Sequence, residues 1–306
     1  MRAKAIVKIC ICGTIALVLA SMLVSLLALP RVLDWKIGDL SFHWIDDHGS
    51  DEGYTVGEAS VSGEVRELDV SWLSGSVTVE LTDGDAVTLR EEPQPESSDA
   101  RMRWKLQDGK LTVYSQKSGL TIPTRAKQLT IGIPAGRAGK LQKLSLDLSA
   151  ATASLPALTL RELELDSVSG SVTLTGGAYE KLDFDSTSGD LTLTSAAVGE
   201  LSADTTSGSL TLGGAFETID FDTTSGALHL TASALPRDIS CDTVSGGVTL
   251  TLPENGGFSA ALDSVSGDLT VDGFAGSLHR DEFVYGQGGP AYEFDSVSGD
   301  VHIRCA

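Results

Sequence analysis

The sequence predicts an all-β, single-stranded parallel β-solenoid with an irregular N-terminal β cap and one N-terminal transmembrane helix. Three observations predict it. A short unit recurs at near-constant spacing, apolar and polar residues alternate with period 2 inside each copy, and an uncharged apolar stretch lies close to the N-terminus. Composition agrees: among 306 residues there are 33 glycines, 9 prolines and only 6% aromatics, which suits many tight turns around small and medium aliphatics.

The first element is the anchor. Residues 9–29, ICICGTIALVLASMLVSLLAL, carry no charge and are long enough to cross the hydrocarbon layer as a helix, which needs ~20 apolar residues. Arg2, Lys4 and Lys8 precede it, so the positive-inside rule leaves residues 1–8 as a cytoplasmic stub and sends the rest of the chain outward. A cleaved signal peptide is the competing reading, but the apolar run is too long and no A-x-A site follows. The expected location is therefore a cell membrane, single-pass, with the bulk of the chain extracytoplasmic. Residues 30–55 lack periodicity and read as a linker.

Residues 56–146 hold irregular strand patterns, EVRELDVSWLSGSVTVEL, AVTLREE, KLTVY and QLTIGI, with a polar insertion between them. They read as an N-terminal β-rich cap shielding the first coil. The tandem-repeat solenoid occupies residues 147–306.

Its units are LELDSVSGSVTLT from Leu163, LDFDSTSGDLTLT from Leu182, LSADTTSGSLTLG from Leu201, IDFDTTSGALHLT from Ile219, ISCDTVSGGVTLT from Ile239, AALDSVSGDLTVD from Ala260 and YEFDSVSGDVHIR from Tyr292. Their central residues, Asp166, Asp185, Asp204, Asp222, Asp242, Asp263 and Asp295, are spaced by 19, 19, 18, 20, 21 and 32 positions, and a faded copy places Asp147 another 19 earlier. A unit this short cannot bury its apolar side alone, so each strand is expected to pair with its counterpart in the next copy.

In D-[ST]-[VT]-S-G the aspartate is expected to accept hydrogen bonds from the backbone amides that follow, with the glycine at positive φ. The functional alternative for the aspartate column is a calcium ladder. The glycine-rich nonapeptide pattern of such ladders is absent, and amide hydrogen bonds stabilise a carboxylate without metal, so no metal or cofactor is expected. Thr173, Thr192, Thr211, His229, Thr249, Thr270 and His302 form an outward column of the kind ice-binding surfaces use, interrupted by its two histidines. The widest spacing adds a loop whose His279, Arg280, Asp281, Glu282 and Tyr285 are the candidate recognition patch.

A net charge of −20, from 42 acidic and 22 basic residues, excludes nucleic acid as a partner. The four cysteines, Cys10, Cys12, Cys241 and Cys305, have no metal-site spacing, and Cys241 takes a repeat position otherwise filled by Leu, Phe or Ala.

The pattern resembles the bacterial putative-adhesin β-strand-repeat family, an extracytoplasmic, membrane-anchored group with no assigned activity. The resemblance rests on VRELDVSWLSGSVTVEL, on GKLTVY followed by LTIGIP, on the recurring D-[ST]-x-S-G units and on the ending GGPAYEFDSVSGDVHI. It implies a surface adhesion or envelope role and brings no catalytic residues. The expected function is a non-enzymatic adhesion, binding or envelope-scaffold protein whose partner is a surface protein or glycan. The alternatives are an envelope-stress sensor acting through a membrane partner and, further off, a polysaccharide-acting enzyme. The latter lacks a G-x-S-x-G elbow or basic groups clustered with paired carboxylates outside residues 272–291.

Overall fold

Side-chain alternation explains why each unit folds as two strands around a corner. In the first full unit Leu163, Leu165 and Ser167 are buried while Glu164 and Asp166 face outward. Beyond the corner Val172 and Leu174 are buried while Thr173 and Thr175 are exposed. The protein is described from a computed structural model covering residues 50–119, 125–279 and 281–306. The expected cytoplasmic stub, the expected membrane helix and residues 30–49 of the expected linker lie outside the described residues. Among the described residues no helix is long and apolar enough to cross a membrane.

Successive units stack in parallel with like residues opposed. Leu163 lies opposite Leu182, Leu182 opposite Leu201, Leu201 opposite Ile219 and Ile219 opposite Ile239. Beyond the corner a second ladder opposes Val172, Leu191, Leu210, Leu228 and Val248. The inward residues of both ladders belong to one continuous hydrophobic cluster. No unit closes that core alone, and burying each large aliphatic contributes about 1.5–3 kcal/mol. The chain is all-β and solenoid-like.

The parallel register also runs into the N-terminal region. Glu67–Thr82 pairs along most of its length with Lys143–Leu155, placing Ser71 opposite Asp147. Its other edge receives Lys110–Tyr114 and Lys127–Pro134, again in parallel. Antiparallel strands Arg103–Gln107 and Val87–Glu92 then cover those two, and Thr55–Val56 and Ala59–Val61 cover them in turn. A buried ion pair sits inside this end. Lys127 Nζ lies 2.6 Å from Glu91, which accepts the Met102 amide at 3.2 Å, and the ammonium is 5.1 Å from the Trp72 ring.

One expectation is corrected at the opposite end, where stacking does not follow chain order. Asp238–Thr243 pairs with Ala291–Ser296, the last unit, which pairs in turn with Gly257–Ser264. The second ladder repeats the arrangement through Val248–Leu252, Val301–Cys305 and Leu269–Asp272. The aspartate column therefore reads Asp242, Asp295, Asp263. The residues behind the widest spacing explain this. Ser277–His279 and Glu282–Gly286 form an antiparallel hairpin that covers the outer edge of Gly257–Ser264. With that edge occupied, insertion gives the last unit a parallel partner on both sides of each strand.

Candidate binding surface

The repeat motif assigns one task to each of its positions, and two differ from the sequence expectation. The corner amide is held by the Ser or Thr after the aspartate. The Gly170 N–H donates to Ser167 Oγ at 2.9 Å, Gly189 to Ser186 at 2.7 Å, Gly226 to Thr223 at 2.8 Å and Gly246 to Thr243 at 2.7 Å. These hydroxyls are buried, which suits a short side chain pointing into the corner, whereas the aspartate has the opposite parity and points outward.

The motif glycines do not take positive φ. They are required by close stacking. A Cβ on Gly189 would stand 2.1 Å from the Gly170 carbonyl oxygen, and one on Gly246 would stand 1.8 Å from that of Gly226. The preceding serine ties rungs together, since Ser188 Oγ donates to Val168 O at 3.1 Å and Ser245 Oγ to Thr224 O at 3.3 Å.

Freed from the corner, the aspartates form an outward column in register: Asp147, Asp166, Asp185, Asp204, Asp222, Asp242, Asp295 and Asp263. Partial burial, then the charge of the neighbouring aspartates, raises Asp166 and Asp222 to about 7 and Asp185 to about 6. Asp204, Asp242 and Asp295 are raised as well, with burial again the leading cause. The direction follows from like charges at strand spacing beside a partly desolvating face.

Two residues before each aspartate runs a second outward column that the sequence reading missed, containing Glu164, Asp183, Asp220 and Glu293. The signal was present, since period 2 puts that position on the same face. Between the columns lies a trough of about 370 Å³ lined by Glu164, Asp166, Asp183, Asp185, Ser202 and Asp204. At its edge, carboxylate oxygens of Glu162, Glu164 and Asp183 come within 4.8 Å of one another. Lysines of the chain itself neutralise this group. Lys143 Nζ lies 3.3 Å from Glu162 and 2.5 Å from Glu164, and Lys181 Nζ lies 2.7 Å from Asp183.

The candidate patch of the terminal hairpin is divided. His279 and Glu282 oppose each other across the turn and are exposed, as is Asp281. Tyr285 packs with Phe258 and Phe274, at ring distances of 5.9 and 5.1 Å, so it closes the end of the core. Arg280 lies outside the described residues. The threonine column is in register, but it includes His229 and His302, and His302 Nε2 lies 2.8 Å from Asp272. Cys241 is buried, and neither it nor Cys305 is in a disulfide.

A further concavity, about 770 Å³, crosses successive rungs of the first ladder, with the mutually opposed Leu160, Tyr179, Val198 and Phe216 at its base. Arg161, Glu180, Glu217 and Arg237 also line it. Its apolar base residues are almost fully buried.

No curated protein matches the chain. Among solved structures, a putative lipid binding protein from Parabacteroides distasonis ATCC 8503 is similar at 14% identity and TM-score 0.50, over 83% of this chain and 97% of its own. A putative adhesin from Bacteroides fragilis NCTC 9343 aligns at 14% identity and TM-score 0.41, over 83% and 98%. A putative adhesin from Parabacteroides merdae ATCC 43184 aligns at 12% identity and TM-score 0.38, over 83% and 97%. Residues 65–304, which span the parallel stack and most of its covering strands, match the family described as Toastrack DUF4097. The chain belongs to the Toastrack DUF4097 family.

Proposed function

We propose that the chain is a non-enzymatic surface module, held to a cell membrane by residues 9–29 and projecting its solenoid outward to bind a neighbouring protein, glycan or envelope polymer. Residues 1–8 lie on the cytoplasmic side in this reading, and residues 30–55 space the β region from the bilayer.

The observation that carries the reading is the in-register acidic face. Like charges directly opposed on neighbouring strands are destabilising, yet Asp166, Asp185, Asp204 and Asp222 repeat at every rung, ~4.8 Å apart. A face kept against its own stability is explained by a partner whose cationic groups complete it. Its periodicity favours an extended partner with repeated basic groups over a single small molecule.

The test is retention of envelope material by the purified full chain, compared with the variant Asp166→Asn/Asp185→Asn/Asp204→Asn at low and high salt. Retention by the wild type that falls with salt and with substitution supports the reading. Equal retention by both proteins, together with unchanged cell attachment when the gene is deleted, would refute it.

A further inference from the structure

The last unit is placed between two units that are consecutive in the chain. Ala291–Ser296 pairs with Asp238–Thr243 on one side and Gly257–Ser264 on the other. Val301–Cys305 is flanked likewise by Val248–Leu252 and Leu269–Asp272. Its corner stacks in the same order, since a Cβ on Gly299 would meet the Gly246 carbonyl and one on Gly267 would meet that of Gly299. Withdrawing this segment would leave two rungs with unpaired edges facing each other across a slot one strand wide.

Two further features make the segment exchangeable. One short connection leads into it from Glu282–Gly286. That connection is Gly286-Gln287-Gly288-Gly289-Pro290, in which all three glycines have positive φ. It runs from one side of Gly257–Ser264 to the other, because Gly286 opposes Gly257 on one edge and Ala291 opposes Ser259 on the opposite edge.

We infer that residues 290–306 form an exchangeable segment, and that two copies of this chain associate by each placing its last unit in the other's slot. Every ladder contact of the segment is preserved in the exchanged pair, so only the connection changes and concentration decides between the two forms. Such a pair would link two anchored chains through an interface as extensive as one rung of the solenoid.

The experiment uses two full-length chains, one Ser240→Cys and one Glu293→Cys, unfolded together in detergent and refolded at low and high concentration. Ser240 and Glu293 oppose each other in the ladder, so a disulfide joining the two chains at these positions forms only if strands are exchanged. The expected result is a linked dimer, with twice the monomer mass, whose yield rises with concentration. Monomer at every concentration, or dimer without a disulfide between positions 240 and 293, would overturn the inference.

A second variant biases the equilibrium. Deleting Gln287, Gly288 and Gly289 leaves two Cα steps between Gly286 and Ala291, a reach of at most ~7.6 Å against a crossing of two strand spacings, ~9.6 Å. This chain is expected to become dimeric with unchanged β content. A monomer in which protease removes residues 290–306 would refute exchange.

Discussion

A Cβ on Gly299 would stand 1.9 Å from the carbonyl oxygen of Gly246. Such an approach admits no side chain, so the glycine column governs how closely the rungs stack. Gly247, the next residue in the chain, has 3.7 Å of clearance at the equivalent atom and no positive φ. Gly246→Ala is expected to lose about 2–3 kcal/mol of stability through overpacking, while Gly247→Ala stays within about 0.5 kcal/mol. Denaturant unfolding of the two variants checks the contrast.

The corner assignment gives a paired test at adjacent residues. Thr243→Val removes the acceptor of the Gly246 amide and leaves that buried N–H without its partner, a loss of about 1–3 kcal/mol. Thr243→Ser keeps the oxygen and is expected to retain most of the stability. Asp242→Asn, one residue earlier, should not destabilise the corner at all. Thermal melts that ranked Asp242→Asn below Thr243→Val would return the corner to the aspartate.

The acidic column sets the pH dependence. Asp166 and Asp222 are raised to about 7 in the folded chain and Asp185 to about 6, all above the ordinary aspartate value of 3.8. The folded chain therefore binds protons more tightly than the unfolded chain across this interval. Their contribution to stability is fully present below about pH 4 and is lost as pH rises toward about 7. Melting temperature is expected to climb as the pH is lowered from 7.5 to about 4.5, and to climb less in Asp222→Asn. At pH 7.5 that substitution should stabilise by about 0.5–1 kcal/mol, allowing for solvent screening. Stability that falls on acidification through this range would contradict the column's electrostatics.

At the N-terminal end, Lys127 and Glu91 are almost wholly buried, and the ammonium also reaches the Ala100 and Ser115 carbonyls. Lys127→Met leaves a buried carboxylate unpaired and is expected to cost about 3–5 kcal/mol, with Glu91→Leu recovering part of that in the double variant. A double-mutant cycle by chemical denaturation measures the coupling.

The core makes a simpler demand. Phe184 is fully buried between flanking rungs that place Leu165 and Ala203 opposite it. Phe184→Ala is expected to destabilise by about 3–5 kcal/mol, and hydrogen exchange should show the neighbouring rungs loosening with it.

Period 2 and repeat spacing are enough to place the core, and there sequence and structure agree. Leu163, Leu165, Val172 and Leu174 face inward because alternation leaves them no other face, and identical units align in register because a slip would expose those side chains. The aspartate column follows from the same alignment. The corner is misread from sequence because Asp166 and Ser167 are both able to cap a turn, and only the direction of each side chain relative to the core separates them. The role of the glycines is hidden for a similar reason: positive φ and close approach both demand glycine, and only the distance to the next rung tells them apart.

The amino-acid sequence by itself determined that the chain is all-β, that its units stack in parallel and which side chains share the core, because these follow from local periodicity repeated along the chain. The tertiary structure decided the order of the last rungs. The units around Asp263 and Asp295 carry nearly the same motif and would fit either place, so their pattern cannot choose between them. The choice falls to the hairpin at Glu282–Gly286, which occupies the outer edge of Gly257–Ser264 and leaves the final unit the place beside Asp242.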